Sequence, residues 1–312
     1  MTVKRKFREA AARLDKPGAG LVAFSTILLI FLVSCSQTID ITSDRRALII
    51  GISDYQDLQI DDLTWPSSDA NDMNILFKAQ GWITSMITDA QATRSNIESE
   101  MSAFFADMNK NSTALIYYSG HGTLSNDGYS GDPALVPNDF DFNTWTPLIT
   151  AADLSNLISD NIATKNVIVI VDSCYSGGFV SSRESSDVIP QSYISYGTNS
   201  SVSALAALGQ FGDLLAANAA EKGLLAPIVI SAAGNSELSY ETSALGNGVF
   251  TNYLLEASTY GDANRDGFVT CTEAYTYAAK AIDRDWNRPN GSSVAFYPHI
   301  SGGLRDLVLF TK

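Results

Sequence analysis

Thiols, imidazoles and basic side chains are all scarce in this chain of 312 residues. It holds three cysteines, Cys35, Cys174 and Cys271, and two histidines, His121 and His299. Three cysteines fall short of the even, larger set that a disulfide framework uses, although Cys174 and Cys271 could pair with each other. Lysine and arginine number 20 against 34 aspartates and glutamates, a net charge of -14. That deficit argues against a nucleic-acid binder, which needs a basic face for phosphates, and against a polybasic membrane-surface protein. The acidity fits a solvated surface that suits cationic substrates or calcium. The apolar run Leu21–Val33 is short for a membrane span. No internal repeat is evident. What remains, 45% hydrophobic and 17% charged, is the composition of a globular protein able to bury a proper core.

The N-terminus stands apart. Lys4, Arg5, Lys6, Arg8, Arg13 and Lys16 precede the apolar run, the layout of a signal peptide. The run closes in Leu32-Val33-Ser34-Cys35, which resembles the bacterial lipobox. That resemblance implies removal of residues 1–34, lipid on Cys35, a lipid-anchored tether over 35–44, and a body exported to the cell envelope. Ser36, rather than Asp, resembles the signal for outer-membrane sorting. The other reading is an uncleaved N-terminal anchor. Loss of residues 1–34 removes six basic and two acidic residues and leaves a net charge of -18.

From Arg45 the pattern alternates apolar runs with amphipathic stretches. Ala47–Ile52, Ile83–Ile87, Thr113–Tyr118, Asn166–Val171, Pro227–Ser231 and Leu307–Phe310 read as strands, several of them buried on both faces. Ser67–Gln80, Thr93–Asn109, Ala151–Ser159, Val249–Ala257 and Thr270–Asp283 read as helices. Ser67, Ser68 and Asp69 are cap candidates for the first of them, and Gly81 ends it. Residues 180–225 break the rhythm and read as a long loop, partly helical near Ala204–Ala220. Such alternation predicts a three-layer α/β fold: a mainly parallel sheet of about six strands with helices on both faces. Ligands of such sheets bind beyond the carboxyl ends of the strands.

Two polar, glycine-flanked motifs fall at strand ends of that kind. Tyr118-Ser119-Gly120-His121-Gly122 follows one strand and Asp172-Ser173-Cys174-Tyr175-Ser176-Gly177-Gly178 another. A cysteine nucleophile works as its thiolate and needs a partner for its proton, for which histidine is suited by a pKa near neutrality. Neighbouring strands lie about 4.8 Å apart, so side chains just past their ends can meet. The glycines let the chain turn sharply and bring N–H groups to a substrate carbonyl. A buried cysteine alone is most often a packing residue, and a lone histidine at a strand end is often structural.

Together the motifs resemble those of the caspase-like cysteine peptidases, specifically the bacterial metacaspase-type branch. The resemblance runs from Arg45 to Leu309 and includes RRALIIGI, SSDANDM and GVFTNYLLEA. It implies a catalytic dyad of His121 and Cys174, oxyanion donors at Gly122 and Cys174, and a substrate pocket that includes Asp69, Ser119 and Asp172. Residue 175 is Tyr where the family often has His, and Pro66 replaces a cysteine of the pocket rim. No basic residue lies between Asp54 and Phe77, where caspases place an arginine for aspartate. A carboxylate pocket predicts cleavage after Arg or Lys, in peptide or protein substrates. The resemblance divides residues 45–312 into a large part (45–180), a linker (181–225) and a small part (226–312). Arg183 and Lys222 are candidate self-cleavage points in the linker.

Asp262, Asn264, Asp266, Thr270 and Glu273 match the oxygen-bearing positions of a twelve-residue EF-hand loop, with the Phe268 carbonyl as a sixth ligand and Gly267 at the turn. The expectation is a bound Ca2+; the plainer reading is an acidic turn that caps the following helix. Cys271 falls at a non-ligating position and reads as a packing residue. Two other functions stay open: a catalytically silent calcium-dependent binding module, and a cysteine hydrolase acting on another acyl group.

Overall fold

The structure, a computed structural model, describes residues 44–126, 131–175, 207–221, 225–232, 239–291, 295–302 and 306–312; at 174–175, 207–210 and 212–213 the description is of the backbone. The signal and tether with Cys35, and both candidate self-cleavage points Arg183 and Lys222, lie outside these residues. Among the described residues no helix is long and apolar enough to cross a membrane.

Strand β1 (Arg45–Gly51) is apolar on both faces because it lies inside the sheet. It pairs in parallel with β2 (Ile83–Thr88) on one side and β3 (Thr113–Leu124) on the other. Next come β6 (Asn166–Tyr175), parallel to β3, and β7 (Ile228–Ser231), parallel to β6. The antiparallel β11 (His299–Ser301) closes that edge. The short strands β4 (Pro133–Leu135) and β5 (Ile149–Thr150) extend the sheet beyond β3, making eight strands in all. The last strand, β12 (Val308–Thr311), is not in this sheet; it pairs with β10 (Phe268–Thr270) in a separate ribbon.

Alternate side chains of the central strands feed two cores. Leu48, Ile50, Ile116, Tyr118, Val169 and Val171 pack against helices α2 (Arg94–Phe105), α3 (Ala151–Asn161) and α4 (Ala207–Glu221). Ala47, Ile49, Leu115, Tyr117, Ile168 and Ile170 pack against α1 (Pro66–Ala79), α5 (Val249–Tyr260) and α6 (Cys271–Ile282). This is the expected three-layer arrangement. Thr93 caps α2 and Thr150 caps α3 through a capping box with Asp153. Cys271 is fully buried in the second core as a free thiol. At the head of β1, Arg45 stacks on Trp82 at 4.1 Å and donates to the Val308 and Leu309 carbonyls, tying the ribbon to the sheet.

Two expectations are corrected. The motifs do not lie in turns beyond the strand ends: β3 runs on to Leu124 and β6 to Tyr175. Where β1 ends, β4 takes over the free edge of β3 and keeps it extended. Nor do Ser67, Ser68 or Asp69 cap α1, which begins at Pro66 after Trp65 with no side-chain cap of its own. The Glu241 carboxylate instead accepts from the Thr64 and Trp65 amides at 3.1 and 3.3 Å, from 177 residues away in sequence. That leaves Asp69 free for other work.

The start of α1 is seated on β1 with no room to spare. A Cβ on Gly51 would stand 2.4 Å from the Pro66 carbonyl oxygen and 2.5 Å from the Ala70 Cβ. Gly51→Ala is expected to destabilise the fold by about 1–3 kcal/mol, as overpacking does. Urea unfolding would register it as a lower midpoint at unchanged slope, and an unchanged midpoint would show that α1 can shift.

Candidate active site

The register of β3 on β6 sets the geometry. Ser119 pairs with Asp172, Gly120 with Ser173, and His121 with Cys174. The two residues singled out for nucleophilic chemistry are therefore Cα partners on adjacent parallel strands. Gly122 follows, partner of Tyr175 on one side and Leu135 on the other, and so stands within the ladder and not in an open turn.

His121 is buried at 5% exposure. Its Nε2 lies 2.8 Å from the Asp61 carbonyl oxygen. A carbonyl only accepts, so Nε2 carries a proton and the neutral ring has its basic lone pair on Nδ1. The Tyr55 ring packs against the imidazole at 4.9 Å between centroids, and its hydroxyl accepts from the His121 amide at 2.8 Å. The Tyr118 hydroxyl donates to the His121 carbonyl at 2.6 Å. Burial pulls the imidazole below its ordinary value; the Asp61 carbonyl and the charges of Asp61 and Asp62 oppose that shift. The ring is thus held neutral and fixed in orientation. A cleft of ≈ 320 Å³ is lined by Tyr55 together with Asp54, Asp89 and Asn138.

Two residues before the pair, Ser119 and Asp172 meet Asp69 from α1. The Asp69 carboxylate accepts from Ser119 Oγ at 2.9 Å and from the Gly248 amide at 2.9 Å. The Asp172 carboxylate accepts from Ser239 Oγ at 2.8 Å, and from the Thr251 amide and hydroxyl at 3.1 and 2.6 Å. Gly248 and Thr251 stand at the start of α5, whose N-terminal dipole favours negative charge. Both carboxylates are buried, and among the described residues no lysine or arginine bonds to either. Burial raises both above the ordinary carboxylate range, and the charge of Asp172 adds to the shift at Asp69. Leu63, Pro66, Gly120, Ser239 and Glu241 complete the walls of a cavity of ≈ 10 Å³, room for about one water.

All three residues expected in a pocket thus line one pocket. Sequence reasoning missed Gly248, Thr251, Ser239 and Glu241, which reach it from more than 60 residues beyond Asp172. The short strands β8 (Glu241–Thr242) and β9 (Asn247–Gly248) form the hairpin that carries two of them.

The loop over 262–273 lies elsewhere, before α6. Asp262 accepts from the Asp266 and Gly267 amides, Asn264 from the Asp266 amide, and Asp266 from the Phe268 amide. Gly267 has φ 89°. The oxygens of Asp262 each carry one such bond, and the Lys312 ammonium stands 4.0 Å from one of them. Glu273 is different: one oxygen accepts from Ala263 and Asn264, the other from Thr270 in a capping box. Among the described residues no three His, Cys, Asp or Glu side chains are gathered as a metal cage.

The caspase-domain family model matches residues 44–290. Among solved structures, a protein from Geobacter sulfurreducens is 20% identical with a TM-score of 0.53, over 83% of this chain and 92% of its own. Caspase-1 from Spodoptera frugiperda is 13% identical with a TM-score of 0.52, over 85% of this chain and 89% of its own. At these identities the likeness is one of fold. No curated protein matches the chain.

Tyr55→Phe would remove the acceptor from a buried amide while keeping the ring. A loss of about 1–3 kcal/mol in unfolding free energy is expected, the penalty of an unpaired buried donor. Thermal unfolding tests it: no change would mean that the His121 amide finds another partner.

Proposed function

The chain belongs to the caspase-domain family, a cysteine-peptidase type of fold, and on that premise we propose that it is an endopeptidase cleaving after Arg or Lys with Cys174 as nucleophile and His121 as base. The observation that carries this reading is the pairing of His121 with Cys174 across β3 and β6. In the proposed reaction His121 Nδ1 takes the thiol proton and the thiolate attacks the scissile carbonyl carbon. The resemblance gives the oxyanion to the Gly122 and Cys174 amides, a role that requires Gly122 to turn out of its place in the ladder. The imidazolium then returns its proton to the leaving amine as the C–N bond breaks. Water, deprotonated by the same ring, hydrolyses the thioester and frees Cys174.

Substrate choice follows from Asp69, Ser119 and Asp172. A guanidinium or ammonium set between two buried carboxylates supplies the cation they lack, whereas an aspartate would add a third negative charge. Glu241 at the wall adds to the same field. The present cavity is too small for a basic side chain, so admission requires the wall of Ser239, Glu241 and Gly248 to withdraw. The same proposal includes export and lipid anchoring at the cell envelope through Cys35, carried by the N-terminal sequence.

We also propose a Ca2+ in the loop over 262–273. Asp262, Asn264, Asp266, the Phe268 carbonyl and Thr270 would hold it, and Glu273 would join by turning away from the Ala263 and Asn264 amides. The ion would brace the ribbon of β10 and β12 and has no part in the peptidase steps.

An Arg-chloromethylketone is expected to label the protein at Cys174, and Cys174→Ala to abolish labelling and lower kcat/KM by more than about a thousandfold. On fluorogenic peptides, Arg and Lys should exceed Asp, and Asp69→Asn should lower kcat/KM on Arg by about a hundredfold. The acid limb of kcat/KM should fall below the ordinary imidazole value of 6.5, because burial keeps His121 neutral. A folded protein that takes no label, with or without calcium, would leave the binding module standing; faster Asp cleavage would overturn the pocket.

Calcium at 100 times its Kd should raise stability by about 2.7 kcal/mol. Thermal unfolding in CaCl2 against EDTA measures this, with Asp262→Asn expected to erase the difference. No difference, and no heat on calorimetric titration, would reduce the loop to a helix cap.

A further inference from the structure

Asp69 and Asp172 are joined by more than proximity. The Asp69 carboxylate accepts from Ser119 Oγ, and Ser119 stands two residues beyond Tyr117 on the same face of β3. The Tyr117 hydroxyl lies 2.6 Å from Thr251 Oγ1, and Thr251 Oγ1 lies 2.6 Å from the Asp172 carboxylate. Three hydroxyls therefore lie along the path between the two acids, bonded to each other from Tyr117 to Thr251 and to the acids at either end. Each hydroxyl both donates and accepts, so the line can point either way. With Asp172 ionised, Thr251 donates to it and accepts from Tyr117. With Asp172 protonated, Thr251 accepts from the acid and donates to Tyr117, which turns its own hydrogen toward Ser119.

The space between the acids is as tight as the backbone permits. A Cβ on Gly248 would stand 2.6 Å from one Asp172 oxygen and 3.0 Å from one Asp69 oxygen. Both carboxylates therefore close on the same Cα, where like charges at this distance resist joint ionisation. The other titratable groups facing them are Tyr117 on β3, Glu241 on the cavity wall and Asp72 on α1, bonded to Asn247 beside Gly248. The N-terminal amides of α5 favour ionisation, but among the described residues no cation faces the pair.

We propose that Asp69, Ser119, Tyr117, Thr251 and Asp172 form one proton-holding unit, which keeps a single proton while the pocket is empty and releases it when a cationic side chain enters. The second part rests on the basic-residue pocket argued above; the first stands without it. The proton leaves to solvent and the arriving cation takes its place, so the charge enclosed by the pocket is conserved. Tyr117 and Thr251 act as positioning residues: they decide which acid bears the proton and touch no reacting atom. Burial raises both acids and the Tyr117 phenol above their ordinary values, as a shared proton requires. Discrimination between arginine and a neutral isostere then depends on pH, falling as acid refills the pocket with protons.

The experiment uses the full-length Cys174→Ala protein with Asp carboxyls labelled in 13C. In the empty pocket the Asp69 and Asp172 signals are each expected to show the same two steps, one at low pH and the second, loss of the shared proton, above the ordinary carboxylate range. Tyr117→Phe should assign one step to each acid, and a thermal midpoint near that of the parent would show that its fold is kept. Both signals fully ionised by pH 5, or independent in the parent protein, would overturn the shared proton whatever the substrate. The second arm titrates an Arg peptide and its citrulline isostere calorimetrically in buffers of different ionisation enthalpy. Arg binding should release about one proton and citrulline binding none. Arg binding with no buffer dependence would refute the exchange and leave the basic pocket intact. Binding of neither peptide, with joint titration preserved, would refute the pocket and the exchange and leave the proton-holding unit.

Discussion

The alignment of β3 against β6 is the constraint on which everything else rests. One register brings Ser119 beside Asp172 and, two residues on, His121 beside Cys174. Because side-chain direction repeats every two residues, a slip of one position would turn Ser119 and His121 to the face opposite Asp172 and Cys174. The register is guarded by burial on both sides: Leu115, Tyr117, Ile168 and Ile170 enter one core, Ile116, Tyr118, Val169 and Val171 the other. A slip would bring no polar face to a core, but it would mismatch tightly packed volumes along the whole length of the central pair.

The acids of the pocket are held in a different way. Their bonds come from a loop, a hairpin and the first turn of α5, which meet only when the two ends of the domain fold against each other. Hydrogen bonds to neutral donors offset part of the penalty of burying each carboxylate, and the absence of an internal cation among the described residues leaves the rest standing. Such an arrangement is poor for stability and good for recognition. His121 is treated oppositely: its carbonyl partner and the Tyr55 ring fix it in one tautomer and one orientation, at the mild expense of a lowered basicity.

Much of the fold could be read from the chain because its main strands are continuous apolar runs and its helices keep a regular stripe. The continuation of β3 through Ser119, Gly120 and His121 could not, since those residues carry no strand signature and are kept extended by their partners Asp172, Ser173 and Cys174 on β6. Strands of two or three residues, such as β5, β8, β9 and β11, are too short to set up a period. At the site, the residue types pointed to His121 and Cys174, and the family resemblance pointed to Asp69, Ser119 and Asp172. The Asp61 carbonyl was invisible, because any residue supplies one. Gly248, 179 positions from Asp69, reads in sequence only as a helix start. Glu241 was hidden for a related reason: it binds the two amides just ahead of a helix that begins far upstream of it, where local patterns have nothing to say.

The bonds that cross from the first half of the chain to the second have a mechanical consequence. Arg45 holds the carbonyls of Val308 and Leu309, Trp82 donates to Leu309, Glu241 grips the amides of Thr64 and Trp65, and β7 is laced along β6. All of these ties pass around, not through, the stretch that links Tyr175 to Ala207. Scission of the backbone anywhere in that stretch would leave two polypeptides still sharing one sheet and two cores. The domain would behave as a fastened heterodimer, its halves parted only by conditions harsh enough to melt the whole.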